Sequence, residues 1–256
     1  QKNVRIAIRI NPNVDAKTHQ NITTGLEENK FGINAWELND CIEVLKQSPN
    51  IELIGIHFHV GSQVKDLNVF KSLCLKVNEF NTWFADRGFN LRVLNVGGGL
   101  GVDYYNPDEQ PMVDFKAYFA IFDQFLERKK GQEVHFELGR SLVAACGTLI
   151  SRVLYIKKGL KKNFMILDAG MTELMRPALY QAYHKIENLS RIDEKSTINY
   201  DVVGPICEST DTFGKEVELP ASQRGDLVAI RTAGAYGEVM VSRYNLREPI
   251  QAVYSV

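Results

Sequence analysis

At 256 residues, 45% apolar and 24% charged, the sequence is long enough for one large domain or two modest ones of an ordinary globular protein. A formal net charge of −1 gives no electrostatic footing for nucleic acid or a membrane surface, and no apolar run approaches the roughly 20 residues a membrane helix needs. The four cysteines, Cys41, Cys74, Cys146 and Cys207, are scattered without a CxxC pair, which reads as a reducing compartment, hence the cytoplasm.

The chain starts at Gln1 and is at once in a strand pattern, Val4–Ile10. No leader is expected in it, and a chain that opens inside its own hydrophobic pattern reads as having lost its start. Three further short apolar runs follow, at Leu53–His59, Val93–Val96 and Val134–Glu137, starting about 40 residues apart. Helical patterns fill the gaps. Asn34 and Glu37 have the spacing of a capping box, followed by Leu38, Ile42 and Leu45. Between Val69 and Trp83, Phe70, Leu73, Val77 and Phe80 make one buried stripe, and Phe115 to Leu126 does the same. This alternation predicts βα units with parallel strands over 1–148. Beyond Arg140 the pattern becomes strand-rich, with runs at Thr148–Lys157, Phe164–Leu167, Ile198–Val203, Leu227–Arg231 and Ile250–Val256. A mainly antiparallel β-domain is expected over 149–256.

Three of the strand ends carry residues that packing does not require. His57 and His59 alternate onto one face before Gly61 and Ser62; two such histidines read equally as satisfied core residues or as functional groups. The run Gly97-Gly-Gly-Leu-Gly101 lets backbone approach an anion closely, although glycine clusters also make ordinary loops. Glu137, Gly139 and Arg140 set opposite charges at one rim, which taken alone reads as a local salt bridge. Parallel barrels gather function at the C-terminal strand ends. A stacking ring, an anion cradle and a carboxylate-arginine pair arriving there together suit a flat, phosphate-bearing, nitrogen-containing aromatic cofactor such as pyridoxal phosphate. No metal site is read from the sequence.

Ordered motifs then extend over essentially the whole chain: Arg9-Ile-Asn-Pro-Asn-Val-Asp15, Thr24-Gly-Leu-Glu-Glu-Asn-Lys-Phe-Gly-Ile33, His57-Phe-His-Val-Gly-Ser-Gln63, the glycine run, Glu137-Leu-Gly-Arg140, Asp168 to Tyr180, Gly204-Pro-Ile-Cys-Glu-Ser209 and Ala233-Gly-Ala-Tyr-Gly237. In these the sequence resembles the alanine-racemase-like (fold-type III) pyridoxal-phosphate enzymes, and within them the diaminopimelate decarboxylases. The resemblance implies an α/β fold: the C-terminal half of a TIM-type (β/α)8 barrel followed by the β-domain. It implies that His59 stacks on the pyridine ring, and that Ser62, Gly98, Gly99 and the turn through Gly139 and Arg140 hold the phosphate. Glu137 keeps the ring nitrogen protonated, which favours decarboxylation over racemisation. Cys207 donates the proton to the decarboxylated carbon from the partner subunit of a homodimer, and Tyr236 completes the cofactor and substrate pocket. Arg140, Arg176, Tyr180 and Glu208 take the far amino-carboxylate of meso-2,6-diaminopimelate. Lys30 is expected to pair with Asp211 across the dimer.

Two departures stand out. Leu138 replaces the family's proline, which keeps a strand donor. No lysine has the setting of the family's cofactor-bearing lysine at the end of the first barrel strand: Lys30 follows a loop, and Lys157 and Lys158 lie beyond the barrel. The expectation is a half-barrel with an uncovered apolar face, inactive by itself, within a whole protein that releases CO2 from meso-2,6-diaminopimelate to give L-lysine. The alternatives are a decarboxylase of ornithine, lysine or arginine, or a non-catalytic regulatory homologue.

Overall fold

The computed structural model describes residues 2–14 and 30–254. They form two compact units, Gln1–Gly101 with Val113–Gly139, and Val102–Met112 with Arg140–Val256. The motif residues 24–29 and Asp15 lie outside the described residues.

In the first unit, strands β1 (Val4–Arg9), β2 (Ile51–His57), β3 (Val93–Asn95) and β4 (Glu133–His135) make one parallel sheet in chain order. Helices α1 (Leu38–Lys46), α2 (Leu67–Asp86) and α3 (Phe115–Phe125) fill the connections. Ile8, Ile56 and Leu94 point into the helical layer with the α2 stripe Phe70, Leu73, Val77 and Phe80. Burial of each such side chain contributes about 1.5–3 kcal/mol. Asp66 and Asp114 cap α2 and α3, accepting from Asn68 N at 2.9 Å and Ala117 N at 2.8 Å. At Asn34 the backbone N–H donates to Glu37 Oε2 at 2.9 Å, and a single 3-10 turn, Ala35–Glu37, precedes α1.

Because side chains alternate along a strand, the opposite face is set by the same register. Arg9 pairs with His57, His57 with Asn95, and Asn95 with His135. The sheet face turned away from the helices is therefore polar at its C-terminal end. Arg9, His57, Asn95 and His135 stand there, with Ala7, Gly55, Val93 and Glu133 one step towards the N-terminal end of the same face.

The second unit is built on β5 (Leu149–Lys158), β6 (Asn163–Leu167), β7 (Ile186–Asn188), β8 (Thr197–Val203), β9 (Thr212–Pro220) and β10 (Leu227–Ile230), with two short helices, α4 (Arg140–Val143) and α5 (Arg176–Tyr180). The strand order is β7-β10-β5-β6-β8-β9, antiparallel throughout except between β6 and β8. Val153, Met165, Leu167, Val202 and Val228 form its core. The fold is thus the α/β arrangement expected: TIM-type βα units, then a mainly antiparallel sheet.

The units divide at 139/140, where the sequence pattern suggested 148/149. Residues 102–112 join the second unit because Tyr104 bonds to Arg140, and Asp108 to Lys185 and Arg231. Strands β7 and β9 carry too few apolar residues to announce themselves. The expected strand at Ile250–Val256 is not formed over 250–254: Val253 and Tyr254 are 94% and 79% exposed, with no core to pack on. No helix among the described residues is long and apolar enough to cross a membrane.

Candidate functional site

In the first unit the ends of β2, β3 and β4 converge. Asn95 organises them: its Oδ1 accepts from Gly97 N at 2.9 Å, and its Nδ2 donates to Glu137 Oε1 at 2.9 Å. The other Glu137 oxygen lies 3.4 Å from His57 Nε2. That contact is electrostatic only, since the nitrogen is buried without hydrogen-bond alignment to any described group. His59 Nδ1 accepts a long bond, 3.4 Å, from Gly98 N–H.

Burial, then the charges of Arg9 and His57, push His59 down to about 4 against the pull of Glu137. Its ring is neutral at neutral pH. Burial first, opposed by Glu137, also lowers His57. The Arg9 guanidinium is lowered by burial and partly restored by Glu137. Arg9 and Asn95 were not singled out from the sequence; their only signal is parity with His57 along adjoining strands.

The glycine run is a matter of space. A Cβ on Gly97, Gly98 or Gly99 would stand 2.2 Å from Phe58 O, 2.2 Å from Glu137 O and 2.3 Å from Gly61 O, respectively. Gly97 and Gly99 also have φ of +70° and +106°. Ser62 follows Gly61, which has φ +134°, in the adjoining turn. Gly139 is different: a Cβ there meets nothing within 4 Å. His59, Gly98 and Glu137 are therefore one cluster. A neutral flat ring, a backbone cradle closed to side chains and a fixed carboxylate fit a planar aromatic cofactor with a phosphate and a basic ring nitrogen.

The second unit gathers a different set. Arg140 Nη1 donates to Tyr104 OH at 2.6 Å and its guanidinium lies 4.8 Å from the Tyr236 ring centroid. Arg176 stacks over Tyr104 at 4.5 Å and bonds through Nη1 to His184 Nε2 at 2.7 Å. Both arginines are buried. Among the described residues no carboxylate pairs with Arg176. Burial foremost, then the neighbouring Arg140 charge, lowers it against the pull of Tyr104. Tyr180 ends α5, one turn from Arg176. Tyr236 sits at φ +58°, a conformation costly for an aromatic residue and frequent at functional sites. Sequence reasoning missed Tyr104 and His184.

Cys207 and Glu208 are exposed on the loop after β8, and Tyr244 OH donates to Glu208 Oε1 at 3.3 Å. Asp211 staples that loop, accepting from Met171 N at 2.6 Å and Ile206 N at 2.7 Å. Asp211 is 3% exposed, and burial raises it from the usual carboxylate value. Its carboxylate is turned inward to two backbone amides.

Comparison with known proteins adds the following. Residues 1–144 match the family model described as pyridoxal-dependent decarboxylase, pyridoxal binding domain. A diaminopimelate decarboxylase of Bacteroides thetaiotaomicron is 54% identical over 96% of this chain and 64% of its own length. One from Helicobacter pylori is 43% identical over 95% of this chain and 59% of its own. A crystal structure of diaminopimelate decarboxylase from Helicobacter pylori complexed with L-lysine superposes with TM-score 0.86 at 42% identity, covering 95% of this chain and 60% of that one. The chain thus spans about 60% of the length of the curated relatives it matches.

Proposed function

The chain belongs to the pyridoxal-dependent decarboxylases, and we propose that the whole protein converts meso-2,6-diaminopimelate to L-lysine and CO2. The observation that carries this reading is the buried Arg176, held against Tyr104 with no carboxylate partner among the described residues. A buried guanidinium kept from its own counter-ion is suited to an anionic group brought by a ligand. Diaminopimelate has a second carboxylate at its far end; ornithine and lysine do not.

Pyridoxal phosphate is the family's cofactor, and the first-unit cluster fits it. His59 and the cradle of Ser62, Gly98, Gly99 and Gly139 would hold it, and the family resemblance assigns Arg140 and Tyr236 to it as well. When bound, its protonated pyridine ring draws off the electron pair released as CO2 departs. Glu137, oriented by Asn95, keeps the proton on the ring nitrogen. Arg140, Arg176, Tyr180, Glu208 and Tyr236 orient the substrate, with arginines for the far carboxylate and Glu208 for the far ammonium. Cys207 delivers a proton to the carbon that has lost CO2. Its exposure is consistent with service to a second subunit, and we place the protein as a homodimer sharing active sites, in the cytoplasm.

CO2 release by the full-length protein, measured with meso-2,6-diaminopimelate, L-ornithine, L-lysine and L-arginine, tests the reading. Preference for diaminopimelate is expected. Preference for ornithine, lysine or arginine overturns it in favour of a diamine-forming enzyme. No turnover of any substrate, with no visible absorption band on adding pyridoxal phosphate, points instead to a regulatory homologue.

A further inference from the structure

His184 is 2% exposed and both ring nitrogens are engaged. Nδ1 lies 2.8 Å from the Arg231 carbonyl oxygen. A carbonyl only accepts, so Nδ1 carries the proton, and Nε2 has the lone pair that takes Nη1–H of Arg176 at 2.7 Å. Tyr104 packs edge-on against the imidazole at 5.0 Å and under the Arg176 guanidinium at 4.5 Å. The carbonyl that sets the tautomer belongs to a residue anchored by ion pairs to Glu187 and Asp108.

Most buried arginines are oriented by a carboxylate, which cancels the charge it positions. A neutral imidazole nitrogen fixes the same fork and leaves its positive charge whole. We infer that His184 is a positioning residue for substrate selection: through its Nε2 lone pair it aims Arg176 at the far carboxylate of the substrate while leaving that arginine's charge uncompensated. This rests on the reading above that Arg176 takes the far carboxylate. Nothing in the reaction requires His184 itself to meet the substrate.

The test uses the full-length protein with His184→Phe, which keeps the ring volume and removes the acceptor, and His184→Gln, which restores an acceptor near the Nε2 position. In His184→Phe the KM for diaminopimelate is expected to rise about tenfold, with kcat within about twofold. The inhibition constant for cadaverine, which has the same five-carbon diamine chain and no carboxylate, should stay within about twofold, and His184→Gln should recover most of the loss. If His184→Phe moves both constants alike, or neither, the assignment is overturned. Should His184→Phe not fold, 15N spectra of histidine-labelled wild-type protein still decide: protonation at Nε2 instead of Nδ1 overturns it. A wild-type protein inactive on diaminopimelate overturns the substrate reading and the selection role together. That outcome is distinct from an active wild type whose His184→Phe variant is unchanged, which sinks His184 alone.

Discussion

Asn95 donates from Nδ2 to Glu137 Oε1 at 2.9 Å, joining the end of one parallel strand to the carboxylate beyond the next. The same side chain accepts from Gly97 N at 2.9 Å. Asn95→Leu removes both bonds at nearly constant volume, each worth about 1 kcal/mol net. Glu137 then loses its aim. The affinity of the full-length protein for pyridoxal phosphate, followed by fluorescence titration, should weaken about five- to tenfold. An unchanged affinity refutes the role given to Asn95.

The glycine run makes a sharper prediction because the obstacle is backbone. A Cβ at Gly98 would meet Glu137 O at 2.2 Å, and neither chain has a flexible end to swing away. Gly98→Ala should cost about 1–3 kcal/mol in unfolding free energy and abolish most cofactor binding. Gly88→Ala is the contrast: φ is +83° but nothing lies within 4 Å. It should cost only about 1 kcal/mol, from the left-handed backbone alone, with cofactor binding intact. Equal behaviour of the two variants in thermal melts and titrations contradicts the steric account.

Acid should destabilise the fold through two histidines. His59 and His184 are each pushed down to about 4 from 6.5, foremost by burial, with Arg9 and His57 facing the first, and Arg176 and Arg140 the second. Glu137 opposes the shift at His59, and the Arg231 carbonyl opposes it at His184. Between those values the unfolded chain binds protons that the folded chain refuses, so stability falls with falling pH. It is complete above pH 6.5 and lost progressively towards 4. At pH 5 the loss is roughly 2 kcal/mol per histidine, at 1.36 kcal/mol per pH unit. Denaturant titrations at pH 7.5 and 5.0 measure it, and His184→Phe should flatten about half of the slope. A flat wild-type profile denies that either ring is held neutral.

How far this was legible in the sequence depends on the range of the interaction. Parity along strands put Ile8, Ile56 and Leu94 inside and His57, His59 and Glu137 on the other face, and the α2 stripe at Phe70, Leu73, Val77 and Phe80 reads directly as helix. These are local periodicities. Tyr104 escaped because it meets Arg140 from 36 residues away, and His184 because the left-handed Gln181 ends α5 between it and Arg176, leaving no periodic spacing to read. The same holds for the backbone amides of Met171 and Ile206 that Asp211 accepts from, which carry no sequence signature. Strand β7 has only Ile186, Glu187 and Asn188, too short for any period to show.

Arg176→Lys separates charge from geometry. Lysine keeps a positive charge but has neither the planar fork nor the stacking surface that meets Tyr104 at 4.5 Å. The KM for diaminopimelate should rise about 10- to 100-fold while pyridoxal phosphate affinity stays within about twofold. A lysine variant with wild-type KM removes Arg176 from the recognition of the far carboxylate.

Cys207 and its loop support the last expectation, which divides proton delivery from loop placement. Cys207 is exposed and lies one residue beyond Ile206, whose amide is tied to the buried Asp211 carboxylate at 2.7 Å. Cys207→Ala removes the proposed proton donor without touching that tie, so kcat should fall about 100-fold or more while the melting temperature and cofactor affinity hold. Asp211→Ala leaves the amides of Met171 and Ile206 without their acceptor in a buried setting, a loss of about 1–3 kcal/mol for each. It should lower the melting temperature as well as kcat. Asp211→Asn, which keeps an acceptor oxygen, should be the milder of the two. Solvent deuterium exchange into the lysine product gives the decisive readout: a Cys207→Ala enzyme that still protonates the product with wild-type rate and stereochemistry assigns proton delivery to another group.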